Sequence, residues 1–349
     1  MRRINTAVQL LGPVVVLVLV GVVGSFMDRA REIEFREALV AAAIVVALYV
    51  FVGNSGVLSF GQVSFVAVGA FAAGVMTIPI ETKPAIVPGL FSFLADRSIG
   101  NAASLALAAG LGGLYAFLVG IPVMRLSGLA AGIATLAVLG VTHNILRNWE
   151  KIGPGPQTLS TVPETTDLLQ GTVGVMAVVL IAFLYQRSRF GRLLRGVRED
   201  PAAAQAAGID IHRQRLWAFT LSGALSGFAG GLYVHMLGTL STEQVYLELT
   251  FLSLAMLVVG GISSLWGAVV GALLVSGLDS FLLDAENGEV GFTLPGGTRL
   301  VAIGAFMALV LILRPSGITG GKEFSLSFLR GLGRRPAPLR RSPPPAAAG

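Results

Sequence analysis

The feature that most constrains this chain is a series of apolar runs, most of them close to 20 residues long, separated by short polar segments. A helix of about 20 apolar residues crosses the roughly 30 Å hydrocarbon core of a bilayer. Inside lipid only helices and closed barrels satisfy their own backbone hydrogen bonds, and runs of this length fit helices. The pattern therefore predicts an all-α fold, a polytopic bundle of transmembrane helices.

Counting the runs predicts about ten helices, at 7–27, 37–53, 57–78, 101–123, 127–146, 171–187, 215–237, the two halves of 249–283, and 298–313. The stretch 249–283 is too long for one span, and we divide it near Ser263 and Ser264 because glycines surround that point. The first run is too long for the apolar core of a signal peptide and has no small-residue cleavage site, so we interpret it as an uncleaved helix.

An eight-helix bundle is the alternative. It requires 57–78 to be re-entrant and 249–283 to be one tilted helix.

Two glycine pairs, Gly223 with Gly227 and Gly267 with Gly271, have the spacing of close helix crossings. General helix packing explains such pairs without any specific function.

The composition agrees with a membrane location. Only 13% of the residues are charged, the mean hydropathy is +0.78, and there are 45 glycines. Soluble domains carry about 25% charged residues, so this chain has too few to cover its surface in water. Membrane lipid is therefore the expected neighbour of much of that surface.

The distribution of positive charge predicts the orientation. With both termini inside, 17 of the 25 Lys and Arg residues fall in inside segments and 8 in outside segments. Cytoplasmic loops are enriched in Lys and Arg, which favours an N-in/C-in topology. The basic residues stand at the edges of apolar runs, so we predict no nucleic-acid partner.

Several classes of function lack the residues they need. The chain has no Cys, and its three His residues (His143, His212 and His235) show no metal-ligand spacing. The sequence shows no pair of carboxylates of the kind that general acid–base enzymes use. An ion-coupled carrier needs acids inside its spans, and Asp279 is the single candidate. A phosphate-binding Gly-x-x-x-x-Gly-Lys-Ser/Thr motif is also missing from the sequence.

The chain divides into a membrane domain, 1–316, and a basic tail, 317–349. The last residues, 334–349, read RRPAPLRRSPPPAAAG. Pro and Arg dominate and no apolar period is present, which predicts a disordered cytoplasmic tail. Its charges suit anionic lipid, although the simpler explanation is a solvated tail without a specific function.

The loop 188–214 contains a short helix defined by its capping residues. Asp200 is a good N-cap, Pro201 suits the first helical position, and Gly208 suits the left-handed position that ends a helix. The alanines between them are strong helix formers. Such a helix fits either a docking element with little side-chain bulk or an ordinary surface helix.

A second candidate site lies where the first spans meet. Its residues are polar groups and a glycine close to or inside apolar segments, namely Asn54, Ser59, Gly61, Gln62 and Ser64. Polar groups at membrane depth are costly unless they face the bundle or water. They therefore suit a substrate path, in which a broken helix would expose backbone groups to the substrate. The alternative is that they only hold neighbouring helices together.

The loop and its surroundings resemble a known family. The segments GRLLRGVRED at 191–200 and AAAQAAGI at 202–209 are similar to the cytoplasmic loop of branched-chain amino acid ABC permeases of the LivM type. Further similar segments are LWAFTLSGALSGFAGGLY at 216–233, LSFGQVSF at 58–65, LSGL at 126–129 and VGGISSLWG at 259–267. Together they extend over about residues 40–316.

The resemblance implies a permease subunit of an ABC importer in the bacterial inner membrane. Its implied partners are two cytoplasmic ATPases, a second and different permease, and a periplasmic or extracellular substrate-binding protein. ATP and Mg would be handled by the ATPases, and this chain would bind no cofactor. The residues implied to couple to the ATPase are Arg195, Arg198, Glu199, Asp200, Pro201, Ala203, Ala204, Gly208 and Ile209.

Two positions depart from the family pattern. Ala202 stands where the general importer loop has Glu, and Gln62 stands where many relatives have His. The expected substrates are branched-chain amino acids, with another amino acid, urea or a short amide as alternatives. An ion-coupled secondary carrier remains the rival class of transporter.

Overall fold

A computed structural model describes residues 2–289, 291 and 293–323, with side chains from residue 9 onward. Within these residues the chain forms fourteen helices and one isolated β-bridge, between Leu159 and Leu240. The helices are α1 (Arg2–Gly24), α2 (Arg29–Ser55), α3 (Gln62–Thr77), α4 (Lys83–Ile86), α5 (Ser92–Ala95), α6 (Asn101–Val123), α7 (Gly128–Asn148), α8 (Leu168–Arg187), α9 (Arg189–Glu199), α10 (Pro201–Ala206), α11 (Ile211–Leu237), α12 (Leu247–Gly260), α13 (Leu265–Asn287) and α14 (Thr298–Leu313).

Helix α2 lies at the centre of the bundle. Every residue from Ala42 to Ser55 is buried, and α2 contacts α1, α8, α11, α12 and α13. A helix that is apolar all round belongs inside a bundle, because no face of it needs water. This helix therefore packs against helices from both the early and the late part of the chain.

Helices α3, α6 and α11 pack together through glycines. A methyl group on Gly69 of α3 would lie 2.2 Å from the carbonyl oxygen of Gly227 on α11. One on Gly227 would lie 2.3 Å from the carbonyl oxygen of Ala108 on α6. Small residues let membrane helices approach this closely. The predicted crossing at Gly223 and Gly227 is confirmed.

The predicted division of 249–283 is also confirmed. Helix α12 ends at Gly260 and α13 begins at Leu265, with the Ser264 hydroxyl accepting from the Gly267 amide at 3.1 Å. Gly271 packs against α12, where an added methyl would lie 2.0 Å from the Met256 carbonyl oxygen. The chain reverses here because Ser264 caps a new helix and Gly261, at φ +121°, adopts a backbone that side chains disfavour.

Each of the ten predicted segments contains a helix. Five helices, α2, α6, α7, α8 and α13, are long and apolar enough to cross a membrane. Four shorter apolar helices lie at 9–24, 62–77, 247–260 and 298–313. In the predicted segment 57–78 only 62–77 is helical. The number of spans and the N-in/C-in orientation stay predictions.

The loops gather at two ends of the bundle. We call the end formed by 188–214, 260–264 and 314–323 the arginine-rich end. There the Ile318 amide donates to the Val259 carbonyl at 2.8 Å, so the first residues of the predicted tail contact the membrane domain. The rest of that tail, 324–349, lies outside the described residues.

The opposite end we call the loop-rich end. It is formed by 78–100, 149–167 and 238–246. Backbone hydrogen bonds join these three segments, from Phe91 to Lys151 at 3.2 Å and from Leu159 to Leu240 at 2.8 Å. The longer connections between helices therefore lie at these two ends, outside the helical part of the bundle.

Candidate functional site

The short helix predicted in the loop 188–214 is present as α10. The Asp200 carboxylate accepts a hydrogen bond from the Ala203 amide at 2.9 Å, which is the N-cap contact. Pro201 is the first helical residue. Gly208 has φ +78° and follows the C-cap residue Ala207, as expected for a helix that ends in a left-handed glycine. Local capping chemistry thus determines both ends of this helix.

A second helix of the same loop, α9, was not anticipated from the sequence. Ser188 caps it by accepting from the Gly191 amide at 3.2 Å. Leu194 and Val197 are fully buried against the bundle, while the arginines flank them. The sequence signal for α9 is the spacing of three between these apolar residues, following a serine that can cap a helix. Because most of the surrounding residues are charged, this segment also fits a solvated loop.

Two of the predicted coupling residues anchor α9 to the bundle. The Arg195 guanidinium donates to the Gln186 carbonyl on α8 at 2.6 Å, and that of Arg198 donates to the Gly53 carbonyl on α2 at 2.8 Å. Arg198 also pairs with Glu199 at 2.7 Å. The two arginines therefore bind the loop to the ends of two core helices and point toward the bundle.

The other predicted coupling residues present an open surface. Asp200, Pro201, Ala203 and Gly208 are exposed, Ile209 is half-buried, and only Ala204 is buried. Apart from its chain neighbours, no heavy atom of the described residues lies within 4 Å of the position that a Cβ atom at Gly208 would take. The result is a small-residue helix on the outside of the arginine-rich end, held from behind by arginines.

The predicted path residues are all buried where α2 gives way to α3. Asn54, Ser59, Gln62 and Ser64 are each at most 4% exposed. Asn54 donates from its amide nitrogen to the Val50 carbonyl at 3.0 Å. Among the residues that the structure describes, its amide oxygen, the hydroxyls of both serines and both amide atoms of Gln62 have no hydrogen-bond partner.

The segment between the two helices is held against α7. The Phe60 amide donates to the Thr135 hydroxyl at 3.1 Å. A methyl group on Gly61 would lie 2.4 Å from the Thr135 carbonyl oxygen, so this approach needs glycine. Buried polar groups without partners are rare in folded proteins. Their concentration within 54–64 indicates a place where another polar group is received.

One known protein family matches most of the chain, including both candidate sites. Residues 35–313 match the family described as "Branched-chain amino acid transport system / permease component". The match begins within α2, after α1, and ends at the last residue of α14. Both the loop of α9 and α10 and the segment 54–64 lie inside it.

Individual relatives agree with the family match. The chain is 26% identical to the high-affinity branched-chain amino acid transport system permease protein LivM of Salmonella typhimurium, over 86% of this chain and 73% of the relative. It is 27% identical to the probable permease protein LivH of Methanocaldococcus jannaschii, over 85% and 93%. It is 28% identical to the nucleoside ABC transporter permease protein NupC of Lactococcus lactis, over 71% and 78%. No solved structure matches the chain.

Proposed function

Because the chain belongs to the family of branched-chain amino acid transport permease components, we propose that it is the membrane permease subunit of an ABC importer for branched-chain or related amino acids. Its relatives are transport permeases rather than enzymes. The driving force would come from separate ATPase subunits, since the sequence contains no phosphate-binding motif of its own.

The observation that carries this proposal is the exposed helix α10 with its rigid support. An importer of this kind must transmit the state of the ATPase to the membrane helices. α10 offers a surface of small side chains to a partner, and α9 connects it to α2 and α8 through Arg198 and Arg195. A push on α10 would therefore reach the two core helices directly.

We extend the proposal to the composition of the complex. Membership of the family implies ATPase and permease partners. The set we propose is two ATPases at the arginine-rich end, a second and different permease beside this chain, and a substrate-binding protein at the loop-rich end. The positive charges would then face the cytoplasm of a bacterium, in its inner membrane.

The substrate is the least constrained part of the proposal. The LivM and LivH relatives favour branched-chain amino acids. The nucleoside permease in the same comparison shows that similar chains occur with other cargo. Urea, short amides and other amino acids remain alternatives, and the binding protein that accompanies this permease would decide between them.

The docking proposal is tested by Ala203→Arg. Ala203 is exposed, so the new side chain fits the free permease but would obstruct a partner that approaches α10. We expect the variant permease to insert normally but not to co-purify with the ATPases. Its amino acid uptake should fall at least tenfold, which corresponds to a loss of about 1.4 kcal/mol of coupling free energy.

The matched control is Ala203→Ser, which keeps a small side chain at the same exposed position. This variant should retain both the complex and the uptake. Full uptake and an intact complex in Ala203→Arg would show that α10 is an ordinary surface helix.

A further inference from the structure

A polar cavity of about 230 Å³ lies near the loop-rich end of the bundle. It is lined by residues of α2, α11, α12, α13 and the first turn of α14, and it opens to the outside of the bundle. Its position is far from the segment 54–64, which sits at the other end of α2. Pockets for drug-sized ligands measure about 300–1,000 Å³, so this one suits a smaller molecule.

The cavity carries more negative than positive charge. Three carboxylates line it, those of Glu37, Glu248 and Asp279, together with one guanidinium, that of Arg299. Arg299 lies 3.4 Å from Asp279 and 3.3 Å from Glu248, so it is shared between these two acids. In the described part of the chain, Glu37 has neither an ion pair nor a hydrogen bond to its side chain.

An unpartnered hydroxyl in the wall is an independent sign of a ligand. Ser276 of α13 lines the cavity and is only 8% exposed, yet it has no hydrogen bond within the described residues. Buried Ser and Thr in helices commonly bond to a carbonyl one turn back, as Thr250 and Thr142 do here at 2.8 Å. Ser276 leaves its hydroxyl free for the cavity.

The floor of the cavity is apolar. Ile44 and Met256 are buried there, and Leu252 is half-buried beside them. A charged rim above an apolar floor matches a small molecule that has ionic groups at one end and an aliphatic group at the other. A bare metal ion or an inorganic cation would have no use for such a floor.

We propose that this cavity binds the ammonium group of the transported amino acid, with Glu37 as the accepting carboxylate. Arg299 would face the carboxylate of the amino acid, Ser276 would supply a hydrogen bond, and the aliphatic side chain would lie on the apolar floor. This inference rests on the proposed function, since it names where an amino acid would enter the permease from the loop-rich end.

Thiol labelling tests the charge and the ligand without requiring transport. The chain contains no Cys, so Ser280→Cys, at a half-buried residue of the same wall, gives this subunit a single reactive site, and its labelling in the full importer complex is read from the separated permease subunit. We expect a cationic methanethiosulfonate to react about tenfold or more faster than an anionic one, because an acidic cleft concentrates cations. Adding Glu37→Gln should reduce this preference, while adding Glu81→Gln, at an exposed acid outside the cavity, should not.

The ligand is identified by protection of the same cysteine. Leucine should slow the labelling, and its deaminated 2-oxo acid should not, because it lacks the ammonium group. Protection by ammonium chloride as strong as that by leucine would point to an inorganic cation and overturn the amino acid assignment. Equal reaction rates for the two reagents would overturn the site itself.

Uptake measurements separate this inference from the proposed function. In the complete complex, Glu37→Gln should lower the uptake of leucine, isoleucine and valine by about tenfold, the effect of losing one charged contact of about 1.4 kcal/mol. Glu37→Asp should recover part of it. A wild-type complex that transports no amino acid would contradict the proposed function. A wild-type complex that transports amino acids alongside an unaffected Glu37→Gln variant would contradict the cavity alone.

Discussion

Gln62 and Gln186 are both buried glutamines, and their surroundings differ. Gln186 accepts a hydrogen bond from the Tyr49 hydroxyl at 2.7 Å. Both amide atoms of Gln62 are buried and find no partner in the described part of the chain. A buried polar group without a partner costs about 1–3 kcal/mol. A cost of this kind is retained in a protein when the group has another use, such as contact with a substrate.

Replacing Gln62 by Leu should therefore separate stability from transport. We expect Gln62→Leu to stabilise the permease by about 1–3 kcal/mol, since it removes an unpaired amide, and to impair uptake or change its specificity. Gln186→Leu is the control, and it should lower stability because the Tyr49 hydroxyl loses its acceptor. Thermal unfolding in detergent and uptake kinetics measure the two effects. Unchanged uptake kinetics in Gln62→Leu would remove Gln62 from the substrate path.

Gly69 belongs to packing rather than to the path. A methyl group there would meet the backbone of Gly227 at 2.2 Å, so α3 and α11 would have to separate. We expect Gly69→Ala to destabilise the permease by about 1–3 kcal/mol, as overpacking does. Gly110→Ala, on α6, should be neutral or slightly stabilising, because no described residue outside its local helix has an atom within 4 Å of the added methyl. Equal unfolding temperatures for the two variants would contradict this packing role.

At the residue scale the sequence reveals groups that are close along the chain and misses those that meet only in the fold. Asn54 to Ser64 form one short segment, and their polarity in an apolar context is visible without a structure. Glu37, Glu248 and Arg299 are separated by many residues, and each stands near the end of a predicted span. Only tertiary packing brings them into one cavity, so no local pattern predicts it.

Among the elements, α10 and α9 show the same contrast. α10 was predicted to the residue because Asp200, Pro201 and Gly208 act within one or two turns. α9 was not predicted because its helical state depends on burying Leu194 and Val197 against other helices. α9 also has a capping residue, Ser188, but a short helix gains most of its stability from such packing. Capping can be recognised in a sequence, while packing needs the partner.

Removing the cap of α10 tests how far it depends on that local chemistry. Asp200→Ala should destabilise α10 by about 0.5–2 kcal/mol, with faster hydrogen exchange at the amides of 203–208. Asp210 caps α11 in the same way, at 3.0 Å from the Arg213 amide. Asp210→Ala should leave exchange in α10 unchanged because α11 is held by the bundle. Unaltered exchange in Asp200→Ala would show that contacts with α9 and α11 maintain α10.

For the whole molecule, the two ends of the bundle make the orientation measurable. Gly196 is exposed at the arginine-rich end and Thr82 at the loop-rich end. With the arginines inside, a membrane-impermeant maleimide should label Thr82→Cys in intact cells, and Gly196→Cys only after permeabilisation. The absence of native Cys makes each variant its own single reporter. The reverse pattern would invert the predicted topology.

The central position of α2 has a consequence for how the molecule is made. α2 is synthesised second, yet α11, which covers much of it, begins about 150 residues later. At about 5–20 residues per second, ribosomes need on the order of ten seconds or more to supply that neighbour. During this interval lipid must solvate the faces that protein will later cover. α2 is the most hydrophobic of the five candidate spans, which suits a helix that has to reside in the bilayer alone before the bundle closes around it.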